Sequence, residues 1–298
     1  MSENQKTVLI GIPKGSLEES TIALFSKAGI RLWGSDRSLW LSSNDLDLRP
    51  VLLRPQEIPQ YVAKGDLDCG LAGWDWILEN ACNGNIRLLT DLCYSKRSFR
   101  PVKWVLAVPE SSGIKTVQDL KQQISPPVRI ATELRRVTED WLSNKGVIAD
   151  VMFSWGATEA KAPVFADAIV ECTETGSSLR ANKLRIVDTI LESTTRFFAN
   201  KAMYNRDEWK RSKVDALSLL LTSCLKAEGK DALRFSSSGS TSAILENLIP
   251  SCVQYTAFEA KGGESTFEVI ADRFLLKDLI PPLIRNGASK VAVSPNEF

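Results

Sequence analysis

A loop of carboxylate and hydroxyl side chains near the middle of the chain has the residue types that bind a phosphorylated sugar. The preceding Val164–Val170 is rich in apolar residues, which predicts a buried strand of a parallel sheet, and Glu171–Ser178 then reads ECTETGSS. A helix-compatible LRAN follows, and the first N–H groups of a helix attract anions because they have no partner within the helix. Gly176 lets the backbone approach a phosphate, and three neighbouring hydroxyls can donate hydrogen bonds to its oxygens: those of Thr175, Ser177 and Ser178.

Two carboxylates in this loop extend the prediction from a phosphate to a phosphoribosyl group. Glu171 and Glu174 have oxygens that can accept hydrogen bonds from sugar hydroxyls or hold a divalent cation. An ordinary strand followed by a capped helix has the same local pattern, with Ser and Thr serving only as caps. A Walker A phosphate loop is excluded, because no Gly-Lys-Ser/Thr sequence follows.

The chain contains no histidine, which limits the chemistry available to it. Ser-His-Asp and Cys-His catalysis, histidine metal sites and imidazole general bases are all excluded. The remaining catalytic groups are carboxylates, cations, hydroxyls, backbone amides and a bound metal ion.

Charge and hydropathy are those of an ordinary globular protein. The net charge of +1 predicts no nucleic-acid partner, so any affinity for phosphate must be local. The sequence has no run of about 18 apolar residues and no signal peptide, which predicts a cytoplasmic protein without a membrane span. The six cysteines have no CxxC spacing, so reduced thiols are a better interpretation than disulfides or zinc.

Short apolar segments alternate with helical patterns along most of the chain, which predicts an α/β fold with mostly parallel sheets. Ligands of such sheets bind at the carboxyl ends of strands, so four loops are candidates: those after Ile12, Leu71, Ile130 and Val170. The first of these loops contains Lys14 and Gly15. It leads into a helix whose start, Ser16–Glu19, fits a capping box.

The C-terminal part of the chain has a different pattern. At 298 residues the chain predicts two or three domains, and a boundary follows the amphipathic helix Trp209–Ala227, at Gly229. Ala232–Val293 has the order β-α-β-β-α-β, with a hairpin at Gly262-Gly263 and a helix end at Gly287. This order predicts a ferredoxin-like module.

Five stretches, taken together and in this order, resemble the ATP phosphoribosyltransferase family, which joins ATP and phosphoribosyl pyrophosphate in histidine biosynthesis. No single stretch decides the resemblance, but their joint order is specific and spans nearly the whole chain. They are GIPKGSL (Gly11–Leu17), RPQEIPQYVAKGDLDCGLAG (Arg54–Gly73), RIATE (Arg129–Glu133), GATEAKAPVFADAIVECTETGSSLRANKLRIVDTILEST (Gly156–Thr194) and IRNGASKVAVSP (Ile284–Pro295). The C-terminal module makes the chain similar to the long form of the family.

The resemblance implies a two-domain catalytic core like that of periplasmic binding proteins, followed by a regulatory ferredoxin-like (ACT-like) domain of βαββαβ order. The implied ranges are 1–100 with 183–225 for the first catalytic domain, 101–182 for the second and 226–298 for the regulatory domain. The active site would lie in the cleft between the catalytic domains. Mg²⁺, a homo-oligomer (dimer or hexamer) and inhibition by histidine are implied as well.

The resemblance also assigns residues to the two substrates. For phosphoribosyl pyrophosphate the matching positions are Glu159, Glu171, Glu174, Thr175, Gly176, Ser177 and Ser178. For ATP they are positions of the first domain, namely Lys14, Gly15, Ser16, Arg54, Asp75 and Lys103. Glu171 and Lys14 are expected to take part in catalysis, and no metal ligand is assigned.

The implied reaction suits a chain without histidine. Adenine N1 of ATP attacks the anomeric carbon of the ribose and pyrophosphate leaves. Because N1 has an available lone pair, no base has to remove a proton first. The reaction instead requires that the two polyanionic substrates are aligned and that the charge developing during the transfer is stabilised.

Several positions depart from the family pattern. Glu171 stands where Asp is common and Ser178 where Thr is common, and both replacements keep the chemistry. Ser16 stands where many members have Arg, which removes a cation, and Leu134-Arg135 replaces a Tyr-Pro pair. Cys252-Val253 replaces a Pro-Thr pair of the effector site, which argues against histidine sensing there.

Three alternatives remain open. A non-catalytic solute-binding or sensor module would have the same fold. So would a catalytically weakened relative that acts mainly as a regulatory subunit, which Ser16 in place of Arg favours. A purine or pyrimidine salvage phosphoribosyltransferase has a similar loop, but it would not supply Arg54–Pro59 or the C-terminal module. Individually, Arg54 could be a structural ion-pair partner and Asp75 an ordinary charge at a helix start.

Overall fold

The computed structural model describes residues 6–35, 38–94, 101–122, 127–250, 253, 255–259 and 264–295. Residues 6–94 form β1 (Val8–Pro13), α1 (Glu18–Lys27), β2 (Leu32–Trp33), β3 (Ser42–Ser43), β4 (Leu48–Leu53), α2 (Ile58–Lys64), β5 (Cys69–Gly73), α3 (Trp74–Glu79) and β6 (Ile86–Leu92). Residues 101–200 form β7 (Val102–Pro109), α4 (Val117–Gln122), β8 (Val128–Thr132), α5 (Arg135–Lys145), β9 (Ala149–Phe153), β10 (Ala168–Thr173), α6 (Ser177–Ala181), β11 (Leu184–Ser193) and β12 (Thr195–Asn200). Residues 201–295 form α7 (Lys201–Arg206), α8 (Glu208–Ala227), β13 (Lys230–Ser238), α9 (Gly239–Leu248), β14 (Tyr255–Glu259), β15 (Glu264–Asp272), α10 (Arg273–Arg285) and β16 (Ser289–Pro295).

The chain divides into two compact units, Met1–Thr222 and Ser223–Phe298, and the first unit contains two five-stranded sheets. The first sheet, with strand order β4-β1-β5-β12-β6, defines the first lobe. Its strands β1, β4 and β5 are parallel, so their carboxyl ends meet at one edge. Strand β1 is almost entirely buried, as its apolar sequence VLIGIP requires, and Ile58, Val62 and Phe198 pack in the core of this lobe.

The second sheet, with strand order β11-β7-β10-β8-β9, defines the second lobe. Strands β8, β9 and β10 are parallel, and β7 runs antiparallel to both β10 and β11. The carboxyl ends of the parallel strands and the start of β7 therefore share one edge. The mixed α/β class expected from the sequence is confirmed.

The return of the chain to the first lobe differs from the prediction. We expected it at residue 183, but β11 pairs with β7 from Leu184 opposite Pro109 to Ser193 opposite Val102. The second lobe therefore includes β11, and the first sheet resumes at Thr195. The predicted first crossing, near Arg100, lies outside the described residues.

The second unit has the β-α-β-β-α-β order that the sequence predicts. Its antiparallel sheet has the strand order β14-β15-β13-β16, and its core contains Leu233 and Leu283 beside the stacked rings of Phe235 and Phe267, whose centroids are 5.0 Å apart. Gly287, with φ 96°, follows the end of α10 as expected. The predicted hairpin at Gly262-Gly263 and the effector position Cys252 lie outside the described residues.

The predicted capping box at the start of α1 does not form. The helix begins at Glu18, and Ser16 does not cap it. Instead, Glu18 Oε2 accepts a hydrogen bond of 3.2 Å from the N–H of Gly15, so the acidic residue alone satisfies a donor of this loop.

Two predictions concern the whole chain, namely that its cysteines are reduced thiols and that it has no membrane span. Five of the six cysteines lie within the described residues and form no disulfide with one another: Cys69, Cys82, Cys93, Cys172 and Cys224. No helix in the described part of the chain is both long enough and apolar enough to cross a membrane.

Candidate active site

The loop between β10 and α6 is closed by its own hydrogen bonds. Gly176, with φ 72°, occupies the left-handed region that favours glycine, and its N–H donates to Thr173 Oγ1 at 2.8 Å. Arg180 Nη1 donates to the carbonyl oxygen of Thr175 at 3.0 Å, and the Thr175 hydroxyl donates to Ser177 Oγ at 3.1 Å. No side chain of the described residues caps α6, so the N–H groups of its first turn are available to a ligand.

Glu171 lies in β10 rather than in the loop, because pairing with β7 continues through Glu171 opposite Val105 to Thr173. The Glu171 carboxyl group is partly buried, and burial raises its pKa. Two neighbours lower the pKa of Glu171: the Thr158 side chain and the Cys172 N–H, which donates to Glu171 Oε1 at 2.9 Å. The negative charges of Glu159 and Glu133 raise the pKa of Glu171 further. The second lobe therefore gathers several carboxylates at this edge.

The turn that follows β9 brings buried hydroxyls to Glu171. Ser154 and Thr158 are both fully buried, and their hydroxyl oxygens are 2.8 Å apart. Lys161 Nζ donates to Ser154 Oγ at 2.5 Å, and the Ser154 N–H donates to the carbonyl oxygen of Thr132 at 2.8 Å. The family resemblance assigned Glu159 of this turn to the site but not Ser154, Thr158 or Lys161, although the GATEAK stretch contains the last two.

The carboxyl edge of the first lobe presents cations. Lys14 follows β1 and Arg54 follows β4, and the Lys14 N–H donates to the carbonyl oxygen of Leu53 at 2.7 Å, which ties the two loops together. Both basic side chains are exposed, as are Gly15 and Ser16. The structure thus brings together four of the six residues assigned to ATP.

Asp75, which the resemblance assigns to ATP, lies at a buried contact between the two lobes. Its side chain is buried, with a relative exposure of 5%, and its Oδ2 accepts a hydrogen bond of 2.6 Å from Trp104 Nε1 of the second lobe. The Trp76 N–H donates to Asp75 Oδ1 at 3.0 Å, and the Ser193 side chain is a further partner. A Cβ atom at Gly73 would clash with Asp75 Oδ1. Asp75 therefore joins the two lobes instead of facing solvent.

Burial raises the pKa of the Asp75 carboxyl, while the hydrogen bonds from Trp104, Trp76 and Ser193 lower it. Desolvation is the larger effect, because the group is removed from water on nearly all sides.

Lys103 lies in the second lobe, not in the first domain to which it was assigned. It occupies β7 opposite Thr173, at the start of the phosphate-type loop. Its Nζ is 3.3 Å from Glu192 Oε1, and both side chains are about half exposed. Lys103 is thus close in register to the residues assigned to phosphoribosyl pyrophosphate.

Glu79 forms a second link between the lobes that the sequence did not predict. Its carboxylate oxygens accept hydrogen bonds from the N–H groups of Arg136, at 2.9 Å, and Val137, at 3.0 Å. Arg136 Nη1 also donates to the carbonyl oxygen of Leu78 at 3.1 Å. The end of α3 therefore caps the start of α5.

The described residues contain no group of three or more Asp, Glu or Cys side chains arranged to hold an ion. Mg²⁺ nevertheless needs only one or two carboxylates when substrate phosphates supply the other ligands. The acidic edge of the second lobe fits that mode of binding.

Comparison with known proteins gives one consistent answer. A family model described as ATP phosphoribosyltransferase matches residues 54–223. The ATP phosphoribosyltransferase of Chlorobium phaeobacteroides is 47% identical over 292 residues, which are 98% of this chain and 97% of that protein. That of Thermodesulfovibrio yellowstonii is 46% identical over 285 residues, 95% of each.

One solved structure has a similar fold and a related sequence. The ATP phosphoribosyl transferase (HisG:HisZ) complex from Thermotoga maritima matches with a TM-score of 0.62 and 26% identity, over 74% of this chain and 100% of the matched chain. These matches agree with the phosphate-type loop and the two α/β lobes. The chain belongs to the ATP phosphoribosyltransferase family, whose members catalyse the first step of histidine biosynthesis.

Proposed function

We propose that the second lobe binds phosphoribosyl pyrophosphate at its carboxyl edge and that the first lobe binds ATP. The observation that carries this proposal is the position of Glu171 in the last half of β10, the strand that leads into a glycine and hydroxyl loop. In this arrangement the loop hydroxyls and N–H groups of Thr175–Ser178 hold the 5′-phosphate. Glu171 accepts hydrogen bonds from the ribose hydroxyls.

On the first lobe, Lys14 and Arg54 extend from adjacent loops toward the polyphosphate of ATP. Two long cations with exposed ammonium and guanidinium groups can follow phosphate oxygens as they move during the transfer. Lys103, paired with Glu192, is placed to meet the leaving pyrophosphate instead, since it lies opposite Thr173. Asp75 has a structural role in this proposal and is not a ligand of ATP.

The transfer itself needs alignment more than proton movement. The N1 lone pair of adenine forms the new bond to the anomeric carbon while the bond to pyrophosphate breaks, and the electron pair leaves with pyrophosphate. Holding the two substrates in one cleft contributes on the order of 7–11 kcal/mol when alignment is good. The Glu171 carboxylate stabilises the sugar as positive charge develops on it.

Mg²⁺ enters the proposal as an ion carried by the substrate pyrophosphate, which it neutralises when bound. Glu174 is the residue of this loop that would hold the ion, because a carboxylate close to a phosphate is repelled unless a cation offsets the two negative charges. The loop residues hold the sugar and its 5′-phosphate independently of the ion.

The second unit would regulate the enzyme, with histidine as its effector, and the chain would form a homo-oligomer, a dimer or hexamer, in the cytoplasm. The βαββαβ order supports this assignment. Analytical ultracentrifugation with and without histidine tests the assembly.

The function is tested by mixing the protein with ATP, phosphoribosyl pyrophosphate and Mg²⁺ and following the N1 adduct by its ultraviolet absorbance. The residue assignment is tested with Glu171→Gln and the exposed matched control Glu110→Gln. We expect Glu171→Gln to lower kcat/KM for phosphoribosyl pyrophosphate about 30-fold, which is the loss of a charged acceptor, with the control unchanged.

Each result has a clear meaning. An unchanged kcat/KM in Glu171→Gln removes the ribose assignment. Adduct formation that histidine does not reduce removes the regulatory assignment while leaving the enzyme.

A further inference from the structure

Three side chains form a line of hydrogen bonds that leads from a cation to the neighbourhood of Glu171. Lys161 Nζ donates to Ser154 Oγ at 2.5 Å, and Ser154 Oγ is 2.8 Å from Thr158 Oγ1. The turn that contains Thr158 packs against β10, and the Thr158 side chain is a polar neighbour of Glu171 that lowers the pKa of its carboxyl. The line lies inside the turn after β9, and its two hydroxyls are fully buried.

When Glu171 is ionised, the groups at the two ends of this line favour one direction for its hydrogen bonds. An ammonium group has donors only, and an ionised carboxylate has acceptors only. Since Lys161 donates to Ser154, the Ser154 proton is directed to Thr158, and the Thr158 proton is directed to Glu171. Each hydroxyl then accepts one hydrogen bond and donates one, so neither is left unsatisfied in the interior.

We propose that Thr158 is a positioning residue for phosphoribosyl transfer, because it holds the Glu171 carboxylate in the orientation that binds the ribose hydroxyls. Lys161 and Ser154 orient the Thr158 hydroxyl and polarise it toward the carboxylate. This inference rests on the proposed role of Glu171 in binding the ribose.

The surroundings of Glu171 explain why it needs such a donor. Burial and the charges of Glu159 and Glu133 all favour the protonated form of Glu171, which would lose an acceptor for the sugar. The Thr158 hydroxyl opposes them by stabilising the ionised form. Chains of hydrogen bonds also polarise one another, so the distant ammonium of Lys161 strengthens the last bond.

The experiment compares Thr158→Val with Thr158→Ser. Valine keeps the shape of the side chain but removes the donor, whereas serine keeps the hydroxyl and removes only a methyl group. We expect Thr158→Val to raise KM for phosphoribosyl pyrophosphate about tenfold, the change that about 1.4 kcal/mol produces, while KM for ATP and kcat stay within about twofold. Thr158→Ser should stay within about twofold of the parent in every constant.

A double-mutant cycle shows whether Thr158 acts through Glu171. In a Glu171→Gln background, Thr158→Val should change KM for phosphoribosyl pyrophosphate by less than about twofold, because the carboxylate that it orients is already gone. Equal losses in the valine and serine variants, or a full tenfold effect in the Glu171→Gln background, would overturn the inference.

The cycle separates this inference from the proposed function. If Glu171→Gln leaves kcat/KM for phosphoribosyl pyrophosphate unchanged, the ribose assignment itself is wrong. If Glu171→Gln has its effect and Thr158→Val has none, only the positioning role is wrong.

If Thr158→Val does not fold, Lys161→Met interrupts the same line at its other, partly buried end. We expect a rise of about threefold in KM for phosphoribosyl pyrophosphate, smaller because the Thr158 donor remains. An unchanged KM for phosphoribosyl pyrophosphate in Lys161→Met would contradict the proposed action of this line of hydrogen bonds on Glu171.

Discussion

The carboxyl edges of the two lobes differ in charge and in how firmly their side chains are held. On the first lobe, Lys14 and Arg54 are exposed, and no hydrogen bond or ion pair of either side chain is found within the described ranges. On the second lobe, Glu171 is partly buried and hydrogen-bonded, and its partner Thr158 has a partner of its own. The difference matches the two proposed ligands, because a polyphosphate is long and variable whereas a ribose ring needs fixed acceptors.

The largest expected effect comes from removing a cationic side chain at the carboxyl edge of the first lobe. Lys14→Met should lower kcat/KM for ATP about 100-fold, or about 2.7 kcal/mol, as expected for a lost hydrogen bond between charged groups. Steady-state assays with each substrate varied in turn measure it, and the exposed Lys64→Met of the same lobe is the matched control. If KM for phosphoribosyl pyrophosphate changes instead, the division of substrates between the edges is wrong.

Asp75→Asn is expected to affect stability rather than substrate affinity. The Asn side chain would place an NH₂ group against either Trp104 Nε1 or the Trp76 N–H, so one buried donor loses its acceptor. The free energy of unfolding should fall by about 2 kcal/mol. Urea unfolding followed by tryptophan fluorescence measures this loss, with the exposed Asp66→Asn as control. A raised KM for ATP at unchanged stability would restore the original assignment of Asp75 to the nucleotide.

A smaller effect is expected for the other link between the lobes. Glu79→Gln keeps an acceptor for one N–H of α5 but removes the charge that favours a helix start. We expect a loss of about 0.5–1 kcal/mol in the free energy of unfolding at low salt, which shrinks as salt is added. The exposed Glu57→Gln, at the start of α2, is the matched control. A loss that does not depend on salt would show that the charge is unimportant.

The smallest expected effect is the pH dependence of the Asp75 contribution. Because burial raises its pKa above the ordinary 3.8, the native state binds this proton more tightly than the unfolded state does. Stability therefore falls as pH rises from about 3.8 toward the raised pKa, and it stays level above that. The difference in free energy of unfolding between the parent and Asp75→Asn should thus be greatest near pH 4 and decrease toward neutral pH. A difference that grows with pH would mean that the native state lowers this pKa.

The sequence predicted the elements that local patterns control. Strands β1, β4 and β10 are apolar, short and followed by polar turns, so their positions and the loops after them were readable. The β-α-β-β-α-β order of the second unit was readable for the same reason.

What the sequence did not predict depends on contacts between distant residues. The partners of Asp75 lie 29 and 118 residues away, at Trp104 and Ser193, and no local pattern distinguishes an acid that they bury from an exposed one. The pairing of β11 with β7 moved a boundary in the same way. Ser154 and Thr158 have no periodic pattern around them, so nothing marked their hydroxyls as buried.

The clash between Asp75 and any Cβ at position 73 limits how this protein can be recombined with its relatives. A larger side chain in place of Gly73 would occupy the volume that Asp75 Oδ1 now fills. Oδ1 would have to leave the Trp76 N–H, and the carboxylate would shift relative to Trp104, which donates to Oδ2. The two positions must therefore be exchanged together. A chimera whose crossover falls between residues 73 and 75 and introduces a larger residue at 73 would inherit an incompatible pair, even if both parents fold well.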